Sequence, residues 1–170
     1  MRCTLFLTIL FLCYTREIKA QNLIFIGENS YPCTETFTLK SNSDSDYISD
    51  LNLVFAKEGN KGFLVVSSKL VRTVRISRKL VIYLDDGTVI TCIDKGIKDN
   101  VDDIASTGYY LTNEELSKLK KSNINTIRYT IECAECISNP IYEGNYSASN
   151  KGKSRTDFPA VVTEFYGKEN

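Results

Sequence analysis

The sequence predicts an α+β fold: a mainly antiparallel β-sheet with one short helix packed on it. Three observations carry that expectation. Two apolar runs separated by a turn recur along the chain. One segment, YYLTNEELSKLKKSN, has the marks of a helix with a built-in start. The segment after it alternates apolar and polar residues over nearly ten positions. Several strands, then a helix, then a strand suit a sheet with few crossover connections.

Leu23, Ile24, Phe25 and Ile26 form a candidate first strand, followed by a turn-like GENSYP. Residues 41–50, SNSDSDYISD, read as a polar loop. LNLVFAK and GFLVVSS flank EGNKG and read as a hairpin. LVRTVRI, residues 70–76, reads as a further strand. KLVIYLDDGTVITCI, residues 79–93, reads as a hairpin turning at Asp86-Gly87, since both residues tolerate the positive φ of a two-residue turn. That turn would set Leu84 against Val89, Ile82 against Thr91 and Leu80 against Ile93. Both faces are then apolar, so the hairpin is expected at the centre of the sheet. Residues 94–108, DKGIKDNVDDIASTG, read as a surface loop.

Thr112 and Glu115 fit a capping box, with Leu111 and Leu116 as the hydrophobic staple. Lysines 118, 120 and 121 suit the negative end of the helix, and Asn123 can stop it. INTIRYTIEC places Ile127, Tyr129, Ile131 and Cys133 on one face of a strand. Residues 138–157 read as a polar tail or long loop, and DFPAVVTEFY, 157–166, as a segment that packs back as a final strand.

The chain has 170 residues. Arg2 and a short apolar run from Cys3 to Tyr14 have the form of a secretory leader ending near Ala20, and are too short to span a bilayer. The expected organisation is a leader over 1–20, an exported domain over 21–137 and a polar tail over 138–170. The destination is periplasmic or extracellular. Lipid anchoring at Cys13 is the minor alternative, opposed by the large Leu12 before it. Removing the leader takes away Arg2, Arg16, Lys19 and Glu17, which moves the net charge from 0 to −2. Nothing in that balance calls for nucleic acid as a partner, and no later segment is apolar enough to span a membrane.

Four of the six cysteines remain in the mature chain: Cys33, Cys92, Cys133 and Cys136. An even count in an exported chain reads first as disulfides, with three pairings open. Cys133-Ala-Glu-Cys136 also has the spacing of a thiol–disulfide redox site. Against that reading, it follows a strand, precedes Asn139-Pro140, and lies beside Glu132 and Glu135, whose charge disfavours a thiolate. The chain has no histidine, so a zinc site would need all four cysteines, and Ser/His or Cys/His catalysis lacks its base. Glu114 with Glu115, and Asp102 with Asp103, are neighbours with no recognisable acid–base geometry. Asp44, Asp46 and Asp50 hint at calcium. A calcium loop begun at Asn42 would put Tyr47 and Leu53 where Gly and Glu are required. Lys69, Arg72, Arg75 and Arg78, followed by Lys79, form a basic run suited to an anionic surface ligand or an acidic protein. Asn145-Tyr146-Ser147 is a glycosylation sequon where a host has that machinery.

The stretch from Leu80 to Ile131, with LDDGTVI, a loop and YYLTNEELSKLKKSNINTIRY, resembles a group of short exported proteins of Bacteroidota without an assigned activity. The resemblance covers about a third of the chain. It implies an exported α+β domain and supplies no site residues. Taken together, these readings predict a binding or structural module without a cofactor rather than an enzyme. The alternative is a thiol–disulfide protein using Cys133 and Cys136.

Overall fold

The computed structural model describes residues 22–44, 48–70, 74–94, 96–133, 143–152 and 155–167. The expected leader therefore lies outside the described residues, as do Asp46, Arg72 and Cys136. The strands are β1 (Asn22–Ile26), β2 (Asn29–Cys33), β3 (Phe37–Ser41), β4 (Leu51–Glu58), β5 (Lys61–Lys69), β6 (Val74–Leu84), β7 (Val89–Ile93), β8 (Ile97–Val101), β9 (Ile104–Leu111), β10 (Ile124–Cys133) and β11 (Gly144–Ser149). The helices are α1 (Asn113–Lys121), between β9 and β10, and α2 (Phe158–Gly167), after β11.

The strands join in one antiparallel sheet, ordered β7-β6-β10-β11-β3-β4-β5-β9-β8, with β2 also on β4 and β1 on β2. The sheet curls into a half-barrel. Two side-chain bonds tie one arm of the curl to the other: Thr107 Oγ1 donates to the Ile76 carbonyl at 2.6 Å, and Asn100 Nδ2 to that of Val74 at 2.9 Å. Alternation along β4 and β5 sends Leu51, Leu53, Phe55, Leu64 and Val66 inward, to a core shared with Leu80, Ile82, Ile127, Tyr129 and Ile131. Val54, Ala56, Phe63 and Val65 point outward. They are covered by Ile26, Tyr31 and Cys33 of the β1–β2 hairpin.

The helix at Thr112 forms as its sequence requires. The Glu115 amide donates to Thr112 Oγ1 at 3.2 Å, and the Thr112 amide to Glu115 Oε2 at 2.7 Å. Leu111, Leu116 and Leu119 are buried together, and the helix stops at Ser122, one residue before the expected Asn123. The β4–β5 hairpin also forms, turning at Gly59 with φ +58.

Six expectations change. Residues 94–108 form β8 and most of β9, turning on Asp102 and Asp103 at φ 52 and 63. GENSYP is a turn only at Gly27-Glu28, and its remainder enters β2. The LDDGTVI turn is a three-residue loop, with the Leu84 amide on the Thr88 carbonyl and Gly87 at φ +86. Registers therefore shift by one: Tyr83 faces Val89, Ile82 faces Ile90 and Leu80 faces Cys92. The hairpin is not central. β7 ends the sheet, leaving Val89 and Ile93 48% and 65% exposed. The expected tail is integral to the domain, because β11 sits between β10 and β3.

The sixth change concerns residues 157–166. DFPAVVTEFY is a helix rather than a strand. Asp157 begins it, accepting the Ala160 amide on Oδ1 and the Val161 amide on its carbonyl. Phe158 and Val162, four residues apart, then enter the core side by side. The fold class holds in its coarser form: mostly antiparallel sheet, with two short helices instead of one.

Candidate functional site

The interior of the curl is filled by side chains. The outer face of β4 and β5 is covered by β1–β2. The outer face of β7, β6, β10 and β11 is different, because no described residue forms a layer over it. Strand register states what stands there. Thr126, Arg128, Thr130 and Glu132 project from β10 at alternate positions, opposite Tyr83, Val81, Ser77 and Arg75 of β6. On the other side β11 sets Ser149, Ser147 and Asn145 beside Thr126, Arg128 and Thr130. β7 adds Val89, Thr91 and Ile93.

A bulge shapes this face. Between the Arg128–Val81 and Thr130–Ser77 pairs, β10 spends one residue, Tyr129, and β6 spends three, Arg78 to Leu80. Arg78 takes φ +60, the left-handed region that costs a residue bearing a Cβ about 1–2 kcal/mol. Its Nε is paired with Glu132 Oε1, while its side chain stays 74% exposed. Ser77 Oγ donates to the other oxygen of Glu132. The Ser77 hydrogen bond, then the bond and charge of Arg78 and the charge of Arg75, hold the Glu132 carboxyl below its ordinary pKa. A shallow depression of about 360 Å³ opens here, lined by Arg78, Thr130, Glu132, Glu143, Gly144 and Asn145 among others. Thr130 Oγ1 donates to Asn145 Oδ1 at 2.9 Å, and Glu143 accepts the Cys133 amide at 2.9 Å.

The basic run is therefore divided. Arg75 and Arg78 meet at Glu132, Lys69 ends β5 on another stretch of sheet, and Arg72 lies outside the described residues. Lys79 is exposed on β6 opposite Ile93. Arg128 is the residue that the linear run could not supply. It is 50 residues from Arg78 in sequence, and only the β6–β10 pairing joins them.

The cysteines separate as well. Cys33 and Cys92 are free thiols. Cys33 belongs to the outer cluster and Cys92 to the inner core, with β4 and β5 between the two clusters, so they do not pair with each other. Of the three pairings left open by the sequence, the two that would join Cys33 and Cys92 to the 133–136 pair are therefore not formed. Cys133 is disulfide-bonded, and its partner lies outside the described residues. Burial, reinforced by the charge of Glu115, pushes the Cys92 thiol up to about 12.

The folded protein thus keeps the Cys92 proton at a pH where the unfolded chain, near the ordinary 9.0, has lost it. The stability that Cys92 contributes is full below pH 9 and is lost as pH rises towards 12, by about 1.4 kcal/mol per pH unit at most. Urea midpoints measured across that window should decline, and Cys92→Ala should lessen the decline most clearly between pH 9 and 10, before Tyr109, Tyr110 and Tyr166, whose pKa values are also raised, add their own.

The acidic candidates have structural roles. Glu115 closes the capping box and Glu114 pairs with Lys118 at 2.7 Å. Asp102 and Asp103 make a turn. Asp50 accepts the Ser41 amide at 2.8 Å and pairs with Lys40 at 3.4 Å. Among the described residues no group of three His, Cys, Asp or Glu side chains could hold a metal ion. No family model, curated protein or solved structure matches the chain.

Proposed function

We propose that this protein is an exported, non-catalytic binding module whose working surface is the outer face of β7, β6, β10 and β11. The supporting observation is the composition of that face. Arg75, Arg78, Lys79 and Arg128 stand against Glu132 and Glu143, beside half-buried Val81 and Tyr83 and exposed Val89 and Ile93. Cations next to apolar side chains on an open sheet suit an acidic partner that also offers apolar contact. Binding would need no conformational change, because the strands beneath are fixed by pairing on both sides of β6, β10 and β11.

The test is direct binding to anionic probes: fluorescein-labelled glutamate peptides, a heparin hexasaccharide and inorganic phosphate. At least one should bind, more weakly as salt rises from about 50 to 300 mM, and Arg128→Glu should weaken it by about tenfold. Salt-insensitive binding to all, or binding to none, removes the proposal. The second reading keeps the thiol–disulfide role, since Cys133 is disulfide-bonded at a half-buried position. Failure to catalyse insulin reduction would end it.

A further inference from the structure

We infer that Arg78 is a pre-aimed guanidinium fork, and that with Arg128 it recognises carboxylates at alternating positions of an extended acidic segment of a protein partner. The inference rests on the binding-face proposal and names its ligand.

The geometry begins with Glu132. This carboxylate is held by Ser77 on one oxygen and takes the Arg78 Nε on the other. Nε lies on the inner edge of the guanidinium. Bonding there orients the plane, and on a side chain 74% exposed it leaves the outer edge, between the two terminal nitrogens, for a ligand. A planar fork fixed in this way matches a carboxylate with two parallel hydrogen bonds, which a lysine cannot do. The left-handed backbone of Arg78, at φ +60 within the bulge, is a local cost that a surface arginine with no task would not require.

Spacing supplies the second part. Arg75 lies level with Glu132, Arg78 sits by the Ser77–Thr130 pair, and Arg128 is level with Val81. Successive levels are two residues apart on β10, or roughly 7 Å. An extended peptide running along the strands repeats its same-side residues at that interval, so Glu-x-Glu places successive carboxylates at Arg78 and Arg128. Its intervening side chains face the other way, while flanking apolar residues reach Val81, Tyr83 and Ile93. Glu143, turned to the Cys133 amide at 2.9 Å, repels a carboxylate at its end of the depression. This favours carboxylates on the Arg78–Arg128 side. A sulfated glycan would satisfy the arginines but would leave the apolar side chains without a partner, so the protein segment is favoured.

The experiment uses two fluorescein-labelled peptides of one composition, the alternating Glu-Ser-Glu-Ser-Val-Ser and the block Glu-Glu-Ser-Ser-Val-Ser, in which adjacent glutamates face opposite ways, with the heparin hexasaccharide and inorganic phosphate as further arms. Fluorescence anisotropy should show the alternating peptide binding about tenfold more tightly than the block peptide. Arg78→Lys should lose most of that preference with an unchanged melting temperature, since the side chain is exposed and the charge is kept. Equal binding of the two peptides, or an Arg78→Lys protein that discriminates like the wild type, overturns the inference. In either case a tenfold loss on Arg128→Glu would leave the binding-face proposal standing. Tighter binding of heparin or phosphate than of the alternating peptide overturns the choice of a protein segment. No response of any arm to Arg128→Glu removes both proposals.

Discussion

Replacing Phe158 by alanine should destabilise the protein by about 3–5 kcal/mol and lower its melting temperature by roughly 10 °C or more. Phe158 is fully buried. Its ring stands edge-on to Phe37 at 5.5 Å and to Phe55 at 6.0 Å between centroids, so three aromatic rings from β3, β4 and α2 share one site. Strands cannot easily move inward to fill the space left behind. They are held by the ladder on either side, so most of the cavity should persist. The Phe158 amide donates to Asn123 Oδ1 at 3.1 Å, and Tyr166, two turns on, donates its hydroxyl to the Ala56 carbonyl at 2.9 Å. The helix should therefore stay docked at both ends around the void. Urea unfolding would show a lower midpoint at unchanged slope. Phe158→Leu should cost distinctly less, and equal losses for the two variants would contradict the cavity account.

The second large effect is expected at Asn150. Its amide donates to the Ile124 carbonyl at 3.0 Å and the Thr156 carbonyl at 2.9 Å, and its oxygen accepts the Thr156 amide at 3.0 Å. One side chain that is 4% exposed thus joins the start of β10 to the segment leading into α2. Asn123 meets the same Thr156 carbonyl from the other side, at 2.9 Å. Alanine at position 150 would leave the Ile124 carbonyl and the Thr156 amide without these bonds. A stranded buried group costs about 1–3 kcal/mol and Thr156 is only half-buried, so a total of about 2–3 kcal/mol is expected. The loss should be read in urea and, more specifically, as faster amide exchange in α2 than in β5. Uniform exchange would mean that Asn150 does not latch the helix.

Much of the fold was legible because some segments carry their own instructions. Thr112 and Glu115 close a box that needs no tertiary help, and Ile127, Tyr129 and Ile131 alternate without interruption. Gly59 marks its turn by its missing Cβ. The failures share a cause: what decided them lay elsewhere in the chain. β8 ends the sheet and β11 has an open outer face, so neither needs many apolar residues, and both read as loop. Val161-Val162 has strand propensity, yet Phe158 and Val162 fall on one helical face that only the completed core rewards. Counting two turn residues in LDDGTVI instead of three was enough to put Ile93 on the wrong face. The candidate site was half visible. Arg75 and Arg78 stood out as a basic run. Arg128 and Glu132 gained their meaning only through pairing with a strand some fifty residues earlier.

The position of β11 also sets an order of events. Its register with β3 pairs Ala148 with Ser41, a sequence separation of 107 residues, and the Asn42 amide adds a bond to the Ser147 carbonyl. β8, β9, β5, β4 and β3 form one run of neighbours, β7, β6 and β10 form another, and β11 is the strand that splices them. A growing chain can assemble either run early but cannot splice them until Gly144–Ser149 are available. Such long-range closure makes folding slow, on the scale of milliseconds to seconds. A chain delayed in this way stays threadable until β11 has emerged, and commits to its final shape only then.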